Sequence, residues 1–181
     1  MSQEKEAQAI LGTGCFWCTE AIFRRLAGVH EVESGYAGGH VKNPTYEAIG
    51  TKQTGHAEVV KITYDPTQIS YAELLAIFWR VHNPTTLNQQ GNDIGPQYRS
   101  VIFYEEETQK ELAEASLAAA TEAGLWKDPI VTEISPLINY YPAEDYHQKY
   151  LERVGDRNPY CIYVVKPKVK KFEEQFKDKL K

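Results

Sequence analysis

The sequence contains few cysteines, no long apolar run and no excess of positive charge. Three cysteines among 181 residues are an odd number and too few for a disulfide scaffold of this size. No apolar run approaches the roughly 18 residues that span a membrane. A net charge of −5 argues against nucleic acid or an anionic membrane as a partner. These absences leave a globular chain, and its 42% hydrophobic residues can build an ordinary core.

No Gly/Ser/Pro linker and no internal repeat divides the chain. We therefore expect a single catalytic domain over residues 1–181, with a core at about 8–165 and a basic C-terminal helix at 166–181. The N-terminal "MSQEKEAQAIL" is charged and has none of the apolar character of a signal peptide, so we expect a cytoplasmic protein. We also expect a monomer.

Alternating apolar periodicities predict the element order β-α-β-β-α-β-α-β-α. A capping box, Ser70 with Glu73, opens one helix, and Gly124 ends a long Ala/Glu-rich helix at about 106–123. Late in the chain we predict a strand in "PIVTEISPL", a helix in "PAEDYHQKYLERV" and a final strand in "CIYVV". The predicted fold class is α/β (α+β): a two-layer sandwich with a mixed β-sheet and packed helices, in the manner of a ferredoxin-like plait.

The most informative stretch is "GTGCFWCTEAIFRRLAG" at 12–28, where two glycines separate a predicted strand from a predicted helix. Cys15 would lie at the helix N-terminus, where free N–H groups favour a thiolate, which is the nucleophilic form. Cys18 follows three residues later and faces the same side, so the pair could close to a disulfide. The spacing alone leaves three interpretations open: a redox dithiol, half of a metal site, or a packed corner.

The residues between the two cysteines are large and aromatic. Phe16 and Trp17 beside a nucleophile suggest an apolar surface for a substrate group, although core packing explains them equally well. A zinc site would need two more ligands. The candidate ligands are Cys161, His147, His82 and His56. They form no second close pair in the sequence, so we expect no metal site.

Glu58 is unusual for its position. It shares the period-2 face of the strand "HAEVVKITY" with Val60, Ile62 and Tyr64. A carboxyl on a buried face tends to stay protonated and can act as a general acid near neutral pH. The alternative is that Glu58 starts the strand at its solvent edge.

Several blocks of the sequence resemble those of a known family. "GCFWCTE" is similar to the signature of the A-type peptide methionine sulfoxide reductases, where many members have Gly in place of Cys18. Further similar blocks follow in the family's order over about residues 8–165: "GYAGGHVKNPTYE", "TGHAEVV", "YDP", "HNPTTLNQQGNDIGPQYRS" and "YHQKYL".

The resemblance implies reduction of the S epimer of methionine sulfoxide, free or within proteins, and assigns roles to residues. Cys15 would attack the sulfoxide sulfur and Glu58 would protonate the departing oxygen. The remaining roles concern substrate binding: Phe16 and Trp17 for the methyl group, Tyr46 and Tyr98 for the oxygen, Asp93 and His147 for the shape of the site.

The resemblance also implies how the enzyme is recycled. A sulfenic acid on Cys15 would condense with a second thiol, and an external dithiol such as thioredoxin would reduce the disulfide, with no other cofactor. Many relatives carry recycling cysteines on a Gly-rich C-terminal tail. Cys161 in "NPYCIYVV" lies near the corresponding place, but a predicted strand and no Gly-rich segment follows it. We favour Cys18 as the resolving cysteine, with Cys161 as the alternative.

Three other functions are compatible with parts of the pattern. A general thiol-disulfide oxidoreductase would explain the CxxC at a strand-to-helix turn, but not the Phe-Trp pair or the other blocks. A zinc-stabilised binding module and a non-enzymatic domain with buried cysteines are the remaining alternatives.

Overall fold

The structure is a computed structural model that describes residues 6–181. Its centre is a curled six-stranded sheet, in which one pair at an edge is parallel and the other neighbouring pairs are antiparallel. Within the described residues the strands are β1 (Ala7–Thr13), β2 (Val29–Ala37), β3 (Ala57–Tyr64), β4 (Gln89–Gln90), β5 (Asp93–Ile94), β6 (Ser100–Tyr104), β7 (Glu133–Pro136) and β8 (Tyr140–Pro142). The order across the main sheet is β7-β6-β1-β3-β2-β8, and β4 pairs with β5 separately.

Helices pack on this sheet, so the predicted mixed sheet with packed helices is confirmed. In the described part of the chain they are α1 (Phe16–Phe23), α2 (Tyr46–Gly50), α3 (Tyr71–Val81), α4 (Glu107–Glu122), α5 (Tyr150–Arg153) and α6 (Lys166–Gln175). The capping box is present, because the Glu73 N–H donates to Ser70 Oγ at 3.0 Å. Gly124, with φ +65°, follows the end of α4 as predicted.

The alternation along the strands divides the core into two clusters. In β3, Val60, Ile62 and Tyr64 join the larger cluster with α1 and α3. Val59 joins a smaller cluster with Phe103 on the opposite face. Because side chains alternate along a strand, Glu58 lies on the helix-covered face, beside the larger cluster.

The predicted strand in "CIYVV" is wrong. Cys161–Val165 form a wide π-helical turn that leads directly into α6. Cys161, Val165, Val169 and Phe172 are all buried. This spacing of three to four residues is the period of a helix, and tertiary burial of that stripe overrides the β-branched residues that favour a strand.

The predicted helix in "PAEDYHQKYLERV" is only partly correct. A 3-10 turn, Asp145–His147, is separated from α5 by Lys149, whose φ is +53°. A left-handed residue interrupts a helix, so the segment turns around the end of α1 instead of running straight. β8 just before it was missed, and it pairs with the edge of β2.

The basic C-terminal segment is helical only in part. α6 ends at Gln175 and is followed by a 3-10 turn, Lys177–Lys179, after which Leu180 bridges Leu26. Within residues 6–181, none of the helices has the length and apolar character needed to cross a membrane.

Candidate active site

The turn between β1 and α1 presents Cys15 at the start of the helix. Gly14 has φ +108°, and a Cβ at this position would lie 2.8 Å from the side chain of Gln90. Only glycine fits such a turn without strain. Cys15 itself has φ −57° and ψ 123° and is the N-cap residue of α1.

The two cysteines of the motif are in contact. The Cys18 N–H donates to the Cys15 carbonyl at 3.1 Å. Burial first, then the neighbouring Cys18 thiol and the charge of Glu58, raises the pKa of Cys15 well above its usual value. The neighbouring Cys15 thiol lowers the pKa of Cys18. The expectation of a Cys15 thiolate is therefore wrong for the substrate-free site, because desolvation outweighs the helix end.

Glu58 faces this pair from the start of β3. It is 2% exposed, which excludes the solvent-edge alternative. Its Oε1 accepts a 3.1 Å hydrogen bond from the Phe16 N–H. Burial raises its pKa to about 8, in spite of that bond. The site therefore holds a protonated carboxyl at neutral pH.

Aromatic rings surround Phe16. Its ring centroid lies 5.1 Å from that of His147, 5.7 Å from Tyr36 and 6.5 Å from Tyr46. The Trp17 ring is 6.4 Å from Tyr46. Phe16 is fully buried and Trp17 half-buried, so the rings pack as the core interpretation expects. They also border the cysteine, and their role as a surface for a substrate group stays a prediction.

Of the two tyrosines named from the sequence, Tyr46 lies in this ring cluster, and Tyr98 packs against the same hydrophobic core. Burial, then the charges of Glu58 and of other groups including Cys15, raises the pKa values of Tyr46 and Tyr98. Both phenols therefore keep their protons and can donate hydrogen bonds. Tyr46 begins α2, and Tyr98 ends the 3-10 turn Pro96–Tyr98.

His147 has a defined tautomer. The Trp17 Nε1–H donates to His147 Nδ1 at 3.1 Å, so Nδ1 is an acceptor and the proton of the neutral ring is on Nε2. Burial lowers the pKa of His147. Its Nε2 is buried and has no hydrogen-bond partner among residues 6–181, so this part of the site retains a free donor.

Sequence reasoning missed four residues around this cluster. Tyr150 stacks on Trp17 with centroids 3.8 Å apart, and the Tyr160 hydroxyl donates to Asp93 Oδ2 at 2.5 Å. Glu144 accepts from the Tyr36 hydroxyl and from the Tyr46 N–H, both at 2.9 Å. The sequence signal that could have identified three of these residues is their place within or near the blocks that resemble the family; they are Tyr36, Glu144 and Tyr150.

The remaining cysteine and the histidines occupy separate positions. Cys161 is fully buried in the core. Burial, and then the charge of Cys18, raises its pKa. Both ring nitrogens of His82 and of His56 are used in internal hydrogen bonds. Within residues 6–181, no group of three Cys, His, Asp or Glu side chains is arranged to hold a metal ion.

Residues 7–180 match a family described as "Peptide methionine sulfoxide reductase". The chain belongs to this family. It is 53% identical over 173 residues to the peptide methionine sulfoxide reductase MsrA of Saccharolobus solfataricus, covering 96% of each chain. It is 54% identical over 171 residues to that of Sulfolobus acidocaldarius, covering 94% of this chain and 96% of the relative.

Solved structures of such reductases have the same fold. Reduced Mxr1 of Saccharomyces cerevisiae superposes with a TM-score of 0.78 at 33% identity, over 86% of this chain and 89% of the other. Mxr1 in complex with Trx2 gives a TM-score of 0.56 at 25% identity, over 82% and 87%. The chain is thus an A-type peptide methionine sulfoxide reductase, an oxidoreductase that reduces methionine sulfoxide.

Proposed function

We propose that this reductase acts on the S epimer of methionine sulfoxide, free or in proteins, through a sulfenic acid on Cys15, and so repairs oxidative damage. The observation that carries the proposal is the protonated carboxyl of Glu58 beside the Cys15–Cys18 pair. A sulfoxide oxygen leaves poorly unless it receives a proton, and a buried acid with a pKa of about 8 can supply one.

The aromatic cluster provides the substrate site in this proposal. Phe16 and Trp17 hold the methyl group on their apolar faces, and the phenols of Tyr46 and Tyr98 donate to the sulfoxide oxygen. Both tyrosines keep their protons because burial raises their pKa values. Fixed donors aimed at the oxygen stabilise the charge that it develops as the sulfur–oxygen bond weakens.

Asp93 and His147 complete the substrate site. Trp17 orients the imidazole so that the His147 Nε2–H is free to donate to a substrate carbonyl. Asp93 is half-buried in β5 and can accept a hydrogen bond from a substrate N–H. These contacts suit a methionine residue within a polypeptide as well as the free amino acid.

In the chemical step, a lone pair of the Cys15 sulfur attacks the sulfoxide sulfur. Glu58 gives its proton to the oxygen. The bond between the two sulfur atoms and the sulfur–oxygen bond of the substrate then break as the oxygen bonds to the Cys15 sulfur, which leaves a sulfenic acid on Cys15 and releases methionine. The substrate-free thiol keeps its proton because of burial. It must lose that proton as it attacks, and the proton restores the acid form of Glu58.

We further propose that Cys18 closes the disulfide with Cys15. The Cys18 N–H already donates to the Cys15 carbonyl at 3.1 Å, and residues three apart on a helix lie within the reach of a disulfide. Cys161 is fully buried at the start of the turn that leads into α6, so its attack on Cys15 would require local rearrangement.

Thioredoxin is the proposed reductant of this disulfide, and no further cofactor is required. The support is the structure of the related Mxr1 in complex with Trx2. Each residue of the site comes from one chain, so we propose that a monomer is active. The three free cysteines suit a reducing compartment such as the cytoplasm.

We propose that residues 1–181 form one catalytic domain and that its central sheet is a two-layer, ferredoxin-like plait. The support for the plait is the order β1-α1-β2-β3-α3-β6, in which the strands align antiparallel as β6-β1-β3-β2. The buried Val169 and Phe172 join α6 to the same core.

The proposed function is tested with resolved S and R epimers of a methionine sulfoxide peptide and a dithiol reductant. We expect methionine from the S epimer alone, measured by chromatography. Equal turnover of the R epimer would contradict the proposed specificity. Peptide mapping after one turnover without reductant should find a Cys15–Cys18 disulfide, and a Cys15–Cys161 link would contradict the role of Cys18.

A further inference from the structure

Glu144 connects parts of the site that lie on separate segments of the chain. One carboxyl oxygen, Oε1, accepts from the Tyr36 hydroxyl at 2.9 Å. The other oxygen, Oε2, accepts from the Tyr46 N–H at 2.9 Å. The backbone carbonyl of Glu144 accepts from the His147 N–H, also at 2.9 Å. A single residue thus bonds to β2, to the start of α2 and to the turn that carries His147.

We propose that Glu144 is a positioning residue for sulfoxide reduction, which fixes the place of the Tyr46 phenol relative to Glu58. The inference rests on the proposed function, in which the Tyr46 hydroxyl donates to the sulfoxide oxygen and Glu58 protonates that oxygen. Glu144 itself contacts neither the oxygen nor the reacting sulfur atoms. It acts only through the residues to which it is bonded.

The position of Tyr46 depends on contacts of this kind. Tyr46 is the first residue of α2, which has only five residues and follows an irregular segment at 38–45. A helix this short is not stable by itself, so contacts with the rest of the protein must place it. The buried side chain of Ile49 anchors the far end of α2. The bond from the Tyr46 N–H to Glu144 anchors the end that carries the phenol.

The bond to Tyr36 links Glu144 to the strand pair that holds the acid. Tyr36 is fully buried in β2 and lies directly opposite Glu58 of β3 in the antiparallel register. Directly opposite residues of neighbouring antiparallel strands share one face of the sheet and lie side by side. The Glu144 carboxyl therefore forms a bridge from the strands that hold the acid to the helix that holds the oxygen donor.

The charge state of Glu144 suits both bonds. Each of them needs an acceptor, and both oxygens of a carboxylate accept. Burial would raise the pKa of Glu144, but the Tyr46 N–H and other donors, including the Tyr36 hydroxyl, outweigh burial and lower it. The group is therefore ionised at neutral pH. It has no proton to give, which separates its role from that of Glu58.

The test compares Glu144→Leu with the conservative Glu144→Gln in the full chain, as single-turnover methionine formation from a saturating S-epimer peptide. Leucine removes both acceptors, so we expect the step to slow about tenfold or more as the donor shifts out of place. Glutamine should stay within about twofold of wild type, because its oxygen accepts from the Tyr46 N–H and its NH2 group donates to the Tyr36 oxygen. Equal losses in both variants would overturn the inference, since the charge would then matter and the position would not.

A double-mutant cycle shows whether Glu144 acts through the phenol. Glu144→Leu should slow Tyr46→Phe by no more than about twofold further, whereas its loss of about tenfold should persist in Tyr98→Phe. Tyr36→Phe breaks the bond to Oε1 alone and gives the same cycle with a smaller loss, if leucine unfolds the chain. Glu47→Leu is the matched control, since Glu47 is the exposed neighbour of Tyr46, and it should leave the rate unchanged.

The outcomes separate the inference from the function on which it rests. A full loss from Glu144→Leu in the Tyr46→Phe background would overturn the inference, because Glu144 would then act by another route. A wild-type rate in Glu144→Leu, with Tyr46→Phe slow, would overturn it as well and leave the proposed function intact. A wild-type rate in Tyr46→Phe would refute the proposed role of Tyr46, and the role of Glu144 with it.

Discussion

The Phe16 N–H donates a hydrogen bond to the Glu58 carboxyl, with N···Oε1 at 3.1 Å, across 42 residues of sequence. Phe16 is the first residue of α1 and follows Cys15 directly. The bond therefore ties the position of the acid to the helix that carries the nucleophile.

Glu58→Gln should slow the first chemical step about 10²- to 10⁴-fold, the usual contribution of a general acid. The amide oxygen can still accept from Phe16, so the variant removes the acidic proton and little else. In the wild type the first step should slow as the pH rises through about 8, where Glu58 loses its proton. Single-turnover rates against pH measure both effects. An unchanged rate in the variant would mean that Glu58 is not the main acid.

The free energy of unfolding of Glu58→Gln should increase relative to that of the wild type at high pH. An unfolded glutamate has a pKa of about 4.3, whereas that of folded Glu58 is about 8. The wild type therefore has its full stability below the unfolded pKa, and loses stability as the pH rises through the folded value. Urea unfolding at pH 5 and pH 9 should find the free energy of unfolding shifting in favour of Glu58→Gln at pH 9. An equal difference at both pH values would mean that the carboxyl is not buried in solution.

Cys15→Ser should abolish sulfoxide reduction with the fold intact, because a hydroxyl is a far weaker nucleophile than sulfur. Cys18→Ser is the matched comparison one helical turn away. It should still form one equivalent of methionine in a single turnover and fail to close the disulfide. Methionine release and near-UV circular dichroism check the two variants. Sustained turnover by Cys15→Ser would refute its role as the nucleophile.

Tyr46→Phe and Tyr98→Phe should each slow the first step about 10²- to 10³-fold, since each removes one donor to the developing oxygen charge. Their pKa values are raised by burial, so the loss should be the same from pH 6 to pH 9. Single-turnover methionine formation measures the loss. Tyr163→Phe is the control, since Tyr163 is 77% exposed, and a similar loss there would indicate a non-specific effect of the substitution.

Glu20→Ala should lower the free energy of unfolding by about 1–3 kcal/mol, because it leaves the part-buried Lys149 N–H without its acceptor. Glu20 is 2% exposed and accepts from the Lys149 N–H at 3.0 Å, between His147 and Tyr150. The variant should also raise the KM for a peptide substrate, as the segment that holds both residues loosens.

Glu152→Ala is the control for Glu20, since Glu152 is an exposed partner of the same Arg24. It should change the stability by less than about 0.5 kcal/mol. Urea unfolding and steady-state kinetics measure both variants. Equal effects would mean that Glu20 acts only through Arg24.

The early part of the fold was predictable because its signals are local. The capping box at Ser70 and the glycine after α4 are short-range features, and the strands β1, β2 and β3 have clear apolar patterns. Two late segments were mispredicted. In "CIYVV" the β-branched residues suggested a strand, whereas a buried stripe from Cys161 to Phe172 makes the segment helical. β8 has three residues and exists because it pairs with β2.

The site was predictable to the extent that its residues lie in recognisable blocks. Cys15, Phe16, Trp17 and Cys18 are adjacent on α1, and Glu58 was identified from the alternation of one strand. Tyr160 was not identified as a site residue, because its partner Asp93 is 67 residues away. Glu144 is 98 residues from Tyr46, to which it is bonded, and gave no local sign of this contact.

The sequence alone was sufficient to identify the family and the reactive groups, because the nucleophile, the aromatic pair and the acid each lie in a short recognisable pattern. The protonation of those groups required the tertiary structure. The helix N-terminus suggested a Cys15 thiolate, but burial raises the pKa of Cys15 and of Glu58. Desolvation depends on how tightly the groups are surrounded, and here they are surrounded by α1, β3 and the segment after β8. These elements meet only in the folded chain, so no local sequence pattern predicts the desolvation.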